Sequence, residues 1–398
     1  MNAYTTKIEG TNSPVIVADD MFLTTDMPTA AGSKMLDGYK SLFEAEAITR
    51  AKAAGFSIGG KADVGEFAID LLGETSCHTE KEEHLKNPAA EIIKAAEAEA
   101  AIVFDVNGSV RRAAAQYDLI SIKPTYGTIS RFGTIPAVCS GETVSVLATN
   151  TENTQKLLDA LVGHDDKDGT SLSEELCSRV KSTGDAPALK KVAWLTSMTE
   201  SVKEEVSDKL HAAKERFTKN GIEVTEIDDT IFAAARVAWN ILMSAEVCNN
   251  VSRYDGVKYG YRAENFCGLD ELYTNSRTEA FGELLKTVIL YGSDVLSTEH
   301  YDNVYDKALR IRRIICEAFQ KLFATYDAVM LPACSALSYG TEEMKSAPYK
   351  VFEENLFTAP ASISGLPAVV VGGVQLIGKA FSENTLIHAA KLFEKEGN

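Results

Sequence analysis

Mostly apolar runs of three or four residues recur along the chain, and polar turns separate them. Runs 15–17, 56–58, 101–104 and 119–122 are bordered by Pro, Gly or Asp, which predicts short buried strands. Residues 39–54 carry apolar side chains near a 3.6-residue period and are closed by Gly55, which predicts a helix. A further short helix is expected over 65–72, and the charged stretch 73–86 reads as an exposed loop. Pro88 suits the first turn of an Ala- and Glu-rich helix running through Ala100. Residues 151–162 place Leu157, Leu158 and Leu161 on one helical face, a polar turn follows at 163–168, and 171–188 reads as loop with a short helix. Strand 192–195, helix 202–220 and strand 222–227 have the length and order of a βαβ unit. Helices dominate 230–323, and 328–331 is a strand ended by Pro332. Residues 368–377 fit a hairpin turning at Gly372-Gly373, and 383–396 closes as a helix. Strands alternating with helices predict an α/β sheet covered by helices.

Composition narrows this picture. A chain of 398 residues can bury a large core, as one large or two medium domains. Its net charge of −17 argues against direct binding to nucleic acid, which is driven by Lys and Arg. The seven cysteines are scattered with no CxxC pair, so reduced and mostly buried thiols are expected. The six histidines show no metal-ligand spacing, so no metal is expected. The first 14 residues hold no apolar leader and no run of 18 apolar residues occurs, so a soluble, cytoplasmic protein with no membrane partner is expected.

Candidate chemistry gathers at 103–133. A strand ends in Asp105, a tight turn carries Asn107, Gly108 and Ser109, and a small-residue helix begins. Strand, serine-bearing turn and helix is a way to set a nucleophile beside backbone N–H groups. An Asn-Gly-Ser turn is also ordinary turn chemistry, so this signal alone does not decide between a site and a turn.

The stretch Leu119–Gly133 closely resembles the region that follows the nucleophile in amidase signature enzymes. Matches at Ser33–Gly38, Gly60-Lys61, Glu66–Ala68, Gly163–Asp168, Gly365–Pro367 and Val374–Lys379 extend the resemblance over nearly the whole chain from about Pro14. The block Arg253–Glu264 resembles the branch formed by A-type subunits of tRNA-dependent amidotransferases. The resemblance implies an amidase signature fold, a mixed sheet sandwiched between helices, with 1–398 as a single domain that lacks the family's N-terminal helical segment. It implies no cofactor. It implies partners of the B and C subunit type, or self-association.

The family acts through a serine nucleophile, a bridging cis-serine and a neutral lysine. Here the nucleophile position matches Ser109, but Val106 and Asn107 stand before Gly108 where the family has Thr and Gly. Ala18 falls at the lysine position and Leu85 at the cis-serine position. Thr287-Val288-Ile289 replaces a segment whose arginine binds the substrate carboxylate, and Asn355 replaces an aspartate that binds its amino group. Residues 137–146 depart from the family pattern as well. Tyr254 and Tyr259 lie where a family tyrosine lines the substrate pocket, and they are equally readable as core or interface aromatics. Lys61 and His84 are the nearest replacement bases, although a structural lysine and a solvated histidine are the simpler readings. Two functions follow as expectations. One is a catalytically inactive or impaired pseudo-amidase with a structural or regulatory role. The other is an active glutamine amidotransferase or amide hydrolase that uses Ser109 with a rewired base.

Overall fold

A computed structural model describes residues 3–79, 85–181, 186–340 and 349–394. Among them, eleven strands form one mixed sheet. They are β1 (Tyr4–Lys7), β2 (Val15–Asp19), β3 (Ser57–Ala62), β4 (Ala100–Asp105), β5 (Ile120–Lys123) and β6 (Thr143–Ala148), followed by β7 (Lys191–Leu195), β8 (Glu223–Ile227), β9 (Ala328–Pro332), β10 (Ala368–Val371) and β11 (Val374–Gly378). Their spatial order is β1-β3-β2-β4-β6-β5-β10-β11-β9-β7-β8. Parallel pairs join β2 to β3 and β4, and β7 to β8 and β9, while the middle of the sheet is antiparallel. Every residue of β4, β5, β6, β9, β10 and β11 is buried, so both faces of these strands are covered.

The helices of the first half are α1 (Glu46–Ala53), α2 (Pro88–Lys94), α3 (Ser109–Tyr117), α4 (Thr151–Leu161) and α5 (Glu174–Ser178). Those of the second half are α6 (Glu204–Lys219), α7 (Ala234–Val251), α8 (Leu269–Ala280), α9 (Glu283–Val295) and α10 (Asp306–Phe323), followed by helices Lys350–Ser364 and Glu383–Ala390. The βαβ unit forms as expected: β7 and β8 run parallel on either side of α6, from Lys191↔Glu223 to Leu195↔Ile227. The hairpin β10–β11 closes at Gly372 and Gly373, with φ of 57° and 84°. Positive φ at both central residues is the turn that matches strand twist, and glycine adopts it without a Cβ clash.

Tertiary contacts override the sequence pattern in several places. The helix expected over 39–54 is confined to α1, because the Ala45 N–H bonds Leu23 O and Ser41 Oγ bonds Phe43 O. The helix expected at 65–72 is a single 3-10 turn, Glu66–Ala68, with Phe67 and Ala68 left-handed at φ 53° and 55°. α2 stops at Lys94 rather than Ala100, because Ala96 turns left-handed (φ 58°) and Ala100 enters β4 between Ile16 and Ala148. Of the seven cysteines, only Cys177 and Cys334 are buried, while Cys77 and Cys267 are exposed. One described helix, Thr230–Val251, is long and apolar enough to cross a membrane by length and composition. It packs inside the protein against α9, α10 and helix Lys350–Ser364.

Candidate functional site

The end of β4 builds the site. Asp105, the last residue of the strand, takes two hydrogen bonds from Arg111 of α3, Nε to Oδ2 at 2.7 Å and Nη2 to Oδ1 at 3.0 Å. The same guanidinium donates to Thr358 O at 2.8 Å, Gln375 Oε1 at 2.9 Å and Ser362 Oγ at 2.7 Å. Asp105 and Arg111 are fully buried. Burial alone would push the Asp105 carboxyl up, but Arg111 holds it below the usual carboxylate range. This clamp ties β4 to the first turns of α3, to helix Lys350–Ser364 and to β11.

Between strand and helix, Val106, Asn107 and Gly108 form a buried turn. Gly108 has φ 81°, and a Cβ there would lie 2.4 Å from Thr358 Cβ, so only glycine fits. The Asn107 side chain is wholly enclosed. Its Nδ2 donates to Ile69 O at 2.6 Å, its Oδ1 accepts from Trp239 Nε1 at 2.7 Å, and its backbone carbonyl accepts from Thr358 Oγ1 at 3.0 Å. Asn355, buried on helix Lys350–Ser364, lies 3.4 Å from Asn107 Oδ1 and 2.8 Å from Asn240 Oδ1. Arg112 donates to Leu71 O at 3.1 Å and Thr358 Oγ1 at 3.2 Å, which fixes α3 to the segment after Ile69.

Ser109 opens α3 and is 7% exposed. Among the described residues, nothing hydrogen-bonds to its hydroxyl. Ala18 is fully buried in β2, and Leu85 packs partly buried against the core. Neither side chain can accept a proton. His84 lies outside the described residues.

Lys61 is the register partner of Ala18 on the neighbouring strand β3. It is fully buried, and its ammonium is already engaged. Nζ donates to Pro28 O at 2.8 Å and to Thr29 Oγ1, and pairs with Asp20 Oδ1 at 3.4 Å. Burial lowers its pKa, and the Asp20 charge opposes that shift. Burial pushes the Asp20 carboxyl up to about 6, with Lys61 pulling it back. Asp19, which accepts the Phe104 N–H at 2.8 Å, is pushed up to about 8, again by burial first. Two of the ammonium's three N–H donors are used by Pro28 O and Thr29 Oγ1, and the Asp20 carboxylate supplies a charge partner rather than a third hydrogen bond. Lys61 therefore holds the loop at Pro28 and Thr29.

The remaining positions divide. Tyr254 is buried and stacks on Phe67 at 5.5 Å, placing it behind the left-handed turn that carries Ile69. Tyr259 is 41% exposed and meets Tyr254 edge-on at 6.1 Å. Thr287, in α9, donates to Glu283 O at 3.1 Å. The fold thus gathers Val106, Asn107, Gly108, Ser109 and Asn355, with Tyr254 one layer behind and Tyr259 at the surface. Sequence reasoning missed Trp239, Thr358 and Arg111, which pack around the turn. Trp239 is one of only two tryptophans, a weak signal that something large and specific is being packed. Its indole lies against Gly141, where a Cβ would come within 2.4 Å of the ring. Surface cavities of about 220–530 Å³ open elsewhere among the described residues, and Ser109 lines none of these. No group of three or more His, Cys, Asp or Glu among the described residues could hold a metal.

Comparison with known proteins agrees with this architecture. The family model described as Amidase matches residues 13–387. The A-type subunit of the glutamyl-tRNA(Gln) amidotransferase of Streptococcus pneumoniae serotype 19F (strain G54) is 33% identical over 400 aligned residues, covering 96% of this chain and 82% of that protein. The corresponding protein of Streptococcus thermophilus (strain CNRZ 1066) is 31% identical over the same span. Among solved structures, the A-type subunit from Thermotoga maritima superposes with a TM-score of 0.81 at 23% identity, covering 98% of this chain and 87% of that one. The K. lactis urea amidolyase gives 0.79 at 22% identity, covering 95% of this chain and 22% of that one. At these identities the structural likeness speaks for the fold. Family model, relatives and fold together establish that this chain belongs to the amidase signature family, among the members that resemble the A-type subunit of glutamyl-tRNA(Gln) amidotransferase.

Proposed function

We propose that this chain is a catalytically silent protein of the A-type subunit lineage, one amidase-signature unit that serves as a structural or regulatory partner of amidotransferase subunits of the B and C type, or of a second copy. The observation that carries this reading is the isolation of Ser109. The nucleophile position survives on its turn, but its hydroxyl has no hydrogen-bond partner among the described residues. The two positions that would pass its proton onward are an alanine methyl and a leucine, and Lys61 is committed to Pro28, Thr29 and Asp20. A serine hydroxyl needs an adjacent base to attack an amide, and loss of triad members costs orders of magnitude in rate. The resemblance at Arg253–Glu264 supports a retained partner surface. Exposure to a fluorophosphonate probe tests the first half of the reading: the expected result is no Ser109 adduct on the folded protein. Stoichiometric labelling that vanishes in Ser109→Ala would instead support the active reading, with a base recruited from outside the family pattern. Co-purification with B- and C-type subunits tests the second half.

A further inference from the structure

We infer that the turn leading to Ser109 holds an internal ligand: the carboxamide of Asn107 fills a preformed receptor for a primary amide. The inference rests on the reading of a silent site, but the receptor is defined by its own geometry. A primary amide offers an N–H donor and a carbonyl acceptor on one planar group, so a matched receptor needs one acceptor and one donor facing it. Asn107 meets both. Ile69 O accepts from Nδ2 at 2.6 Å, and Trp239 Nε1 donates to Oδ1 at 2.7 Å. A backbone carbonyl can only accept and an indole N–H can only donate, so the two partners fix the orientation of the amide without ambiguity.

Both partners are rigidly held. Ile69 follows the left-handed pair Phe67 and Ala68, and Phe67 is wedged between Tyr254 at 5.5 Å and Phe281 at 6.5 Å. Consecutive non-glycine residues in this region cost free energy and persist only where surrounding packing dictates them. Trp239 is 1% exposed, and its ring lies against Gly141, with no room for a Cβ between them. The receptor is therefore part of the scaffold, and the occupant is one side chain of the turn that carries Ser109. Glycine at residue 107 would vacate a volume matching acetamide, the Asn side chain without its link to the backbone.

The test is chemical rescue of Asn107→Gly. The variant should melt below wild type, and acetamide should raise its Tm with the concentration dependence of one-site binding while leaving wild type unmoved. At saturation it should recover at least half of the lost Tm. Acetone, which lacks the N–H, and acetate, which sets a charge against Ile69 O, should recover far less. Adding Trp239→Phe, which deletes the donor, should abolish the preference for acetamide over acetone. Should Asn107→Gly not fold, Asn107→Ala with formamide replaces it. Should neither fold, refolding yield in acetamide against acetone gives the readout: an amide-selective yield supports the receptor, and equal yields overturn it. Equal rescue by acetone and acetamide, or none in a folded variant, overturns the inference alone. Ser109-dependent amide hydrolysis by wild type would overturn the silent-site reading and leave an amide-selective rescue standing.

Discussion

Arg111→Met removes the cation that organises the turn, and its cost can be worked from the contacts. The substitution deletes the two bonds to Asp105 at 2.7 and 3.0 Å and leaves that carboxyl enclosed with no arginine hydrogen-bonded to it. It also strips a donor from Thr358 O, Gln375 Oε1 and Ser362 Oγ. Breaking a buried ion pair on one side costs about 3–5 kcal/mol, and three deprived acceptors push the loss toward the upper end of that range. Against a native stability of about 5–15 kcal/mol, the variant should fold but be marginal.

The pH dependence carries the sharper signature. In wild type the Asp105 pKa is depressed by Arg111, so its contribution is present above the unfolded value and is lost only as pH falls through the folded value. Without Arg111, burial is opposed only by the charges of Lys123 and Arg112, and the pKa rises. Ionised Asp105 then costs stability, and protonation relieves that cost as pH falls. The gap between wild type and variant should be widest near about pH 7 and narrower near about pH 5. Urea unfolding at both pH values, read as midpoint shifts at unchanged slope, measures it. A loss under about 1 kcal/mol at neutral pH, or an equal loss at both, would refute the reasoning.

Two further substitutions probe the same layer. Lys61→Met removes the cation beside Asp20, whose carboxyl already sits at about 6. The expected loss is about 3 kcal/mol where Asp20 is ionised in both proteins, and it shrinks as pH falls toward about 6, because removing Lys61 raises the carboxyl pKa further and protonation relieves the variant before wild type. Thermal melts on either side of that value check the sign. Gly108→Ala forces a Cβ to 2.4 Å from Thr358 at φ 81°, so a loss above about 2 kcal/mol is expected. Gly55→Ala, at φ 92° with nothing within 4 Å, is the control, and pays only the left-handed penalty of about 1 kcal/mol.

How much of this was legible in the sequence depends on the range of the interactions. The hairpin at Gly372-Gly373 and the strand–helix–strand from Lys191 to Ile227 are set by local turn chemistry and periodicity, and both formed as expected. The stretch 88–100 misled because Ala and Glu favour helix, whereas Ala100 is claimed by strand pairing with Ile16 and Ala148. Helix Lys350–Ser364 did not stand out from the sequence pattern, and it carries Pro360 in its interior, which breaks the usual helix signature. At the site, the family resemblance directed attention to Ser109, Ala18 and Leu85. The role of Asn107 could not, because its partners Ile69, Trp239 and Thr358 lie 38, 132 and 251 residues away. Nor could the engagement of Lys61 be read, since Pro28 and Thr29 lie 33 and 32 residues away and meet it through the folding of the chain.

The central claim, that Ser109 marks a site with no working base, is tested most directly by ammonia release from glutamine, with the purified chain compared against its Ser109→Ala variant alone and with added B- and C-type subunits. The account predicts that both proteins stay at the background rate in either setting. Turnover by the wild-type chain that exceeds the variant by about tenfold or more, about 1.4 kcal/mol of transition-state stabilisation assigned to Ser109, would contradict it.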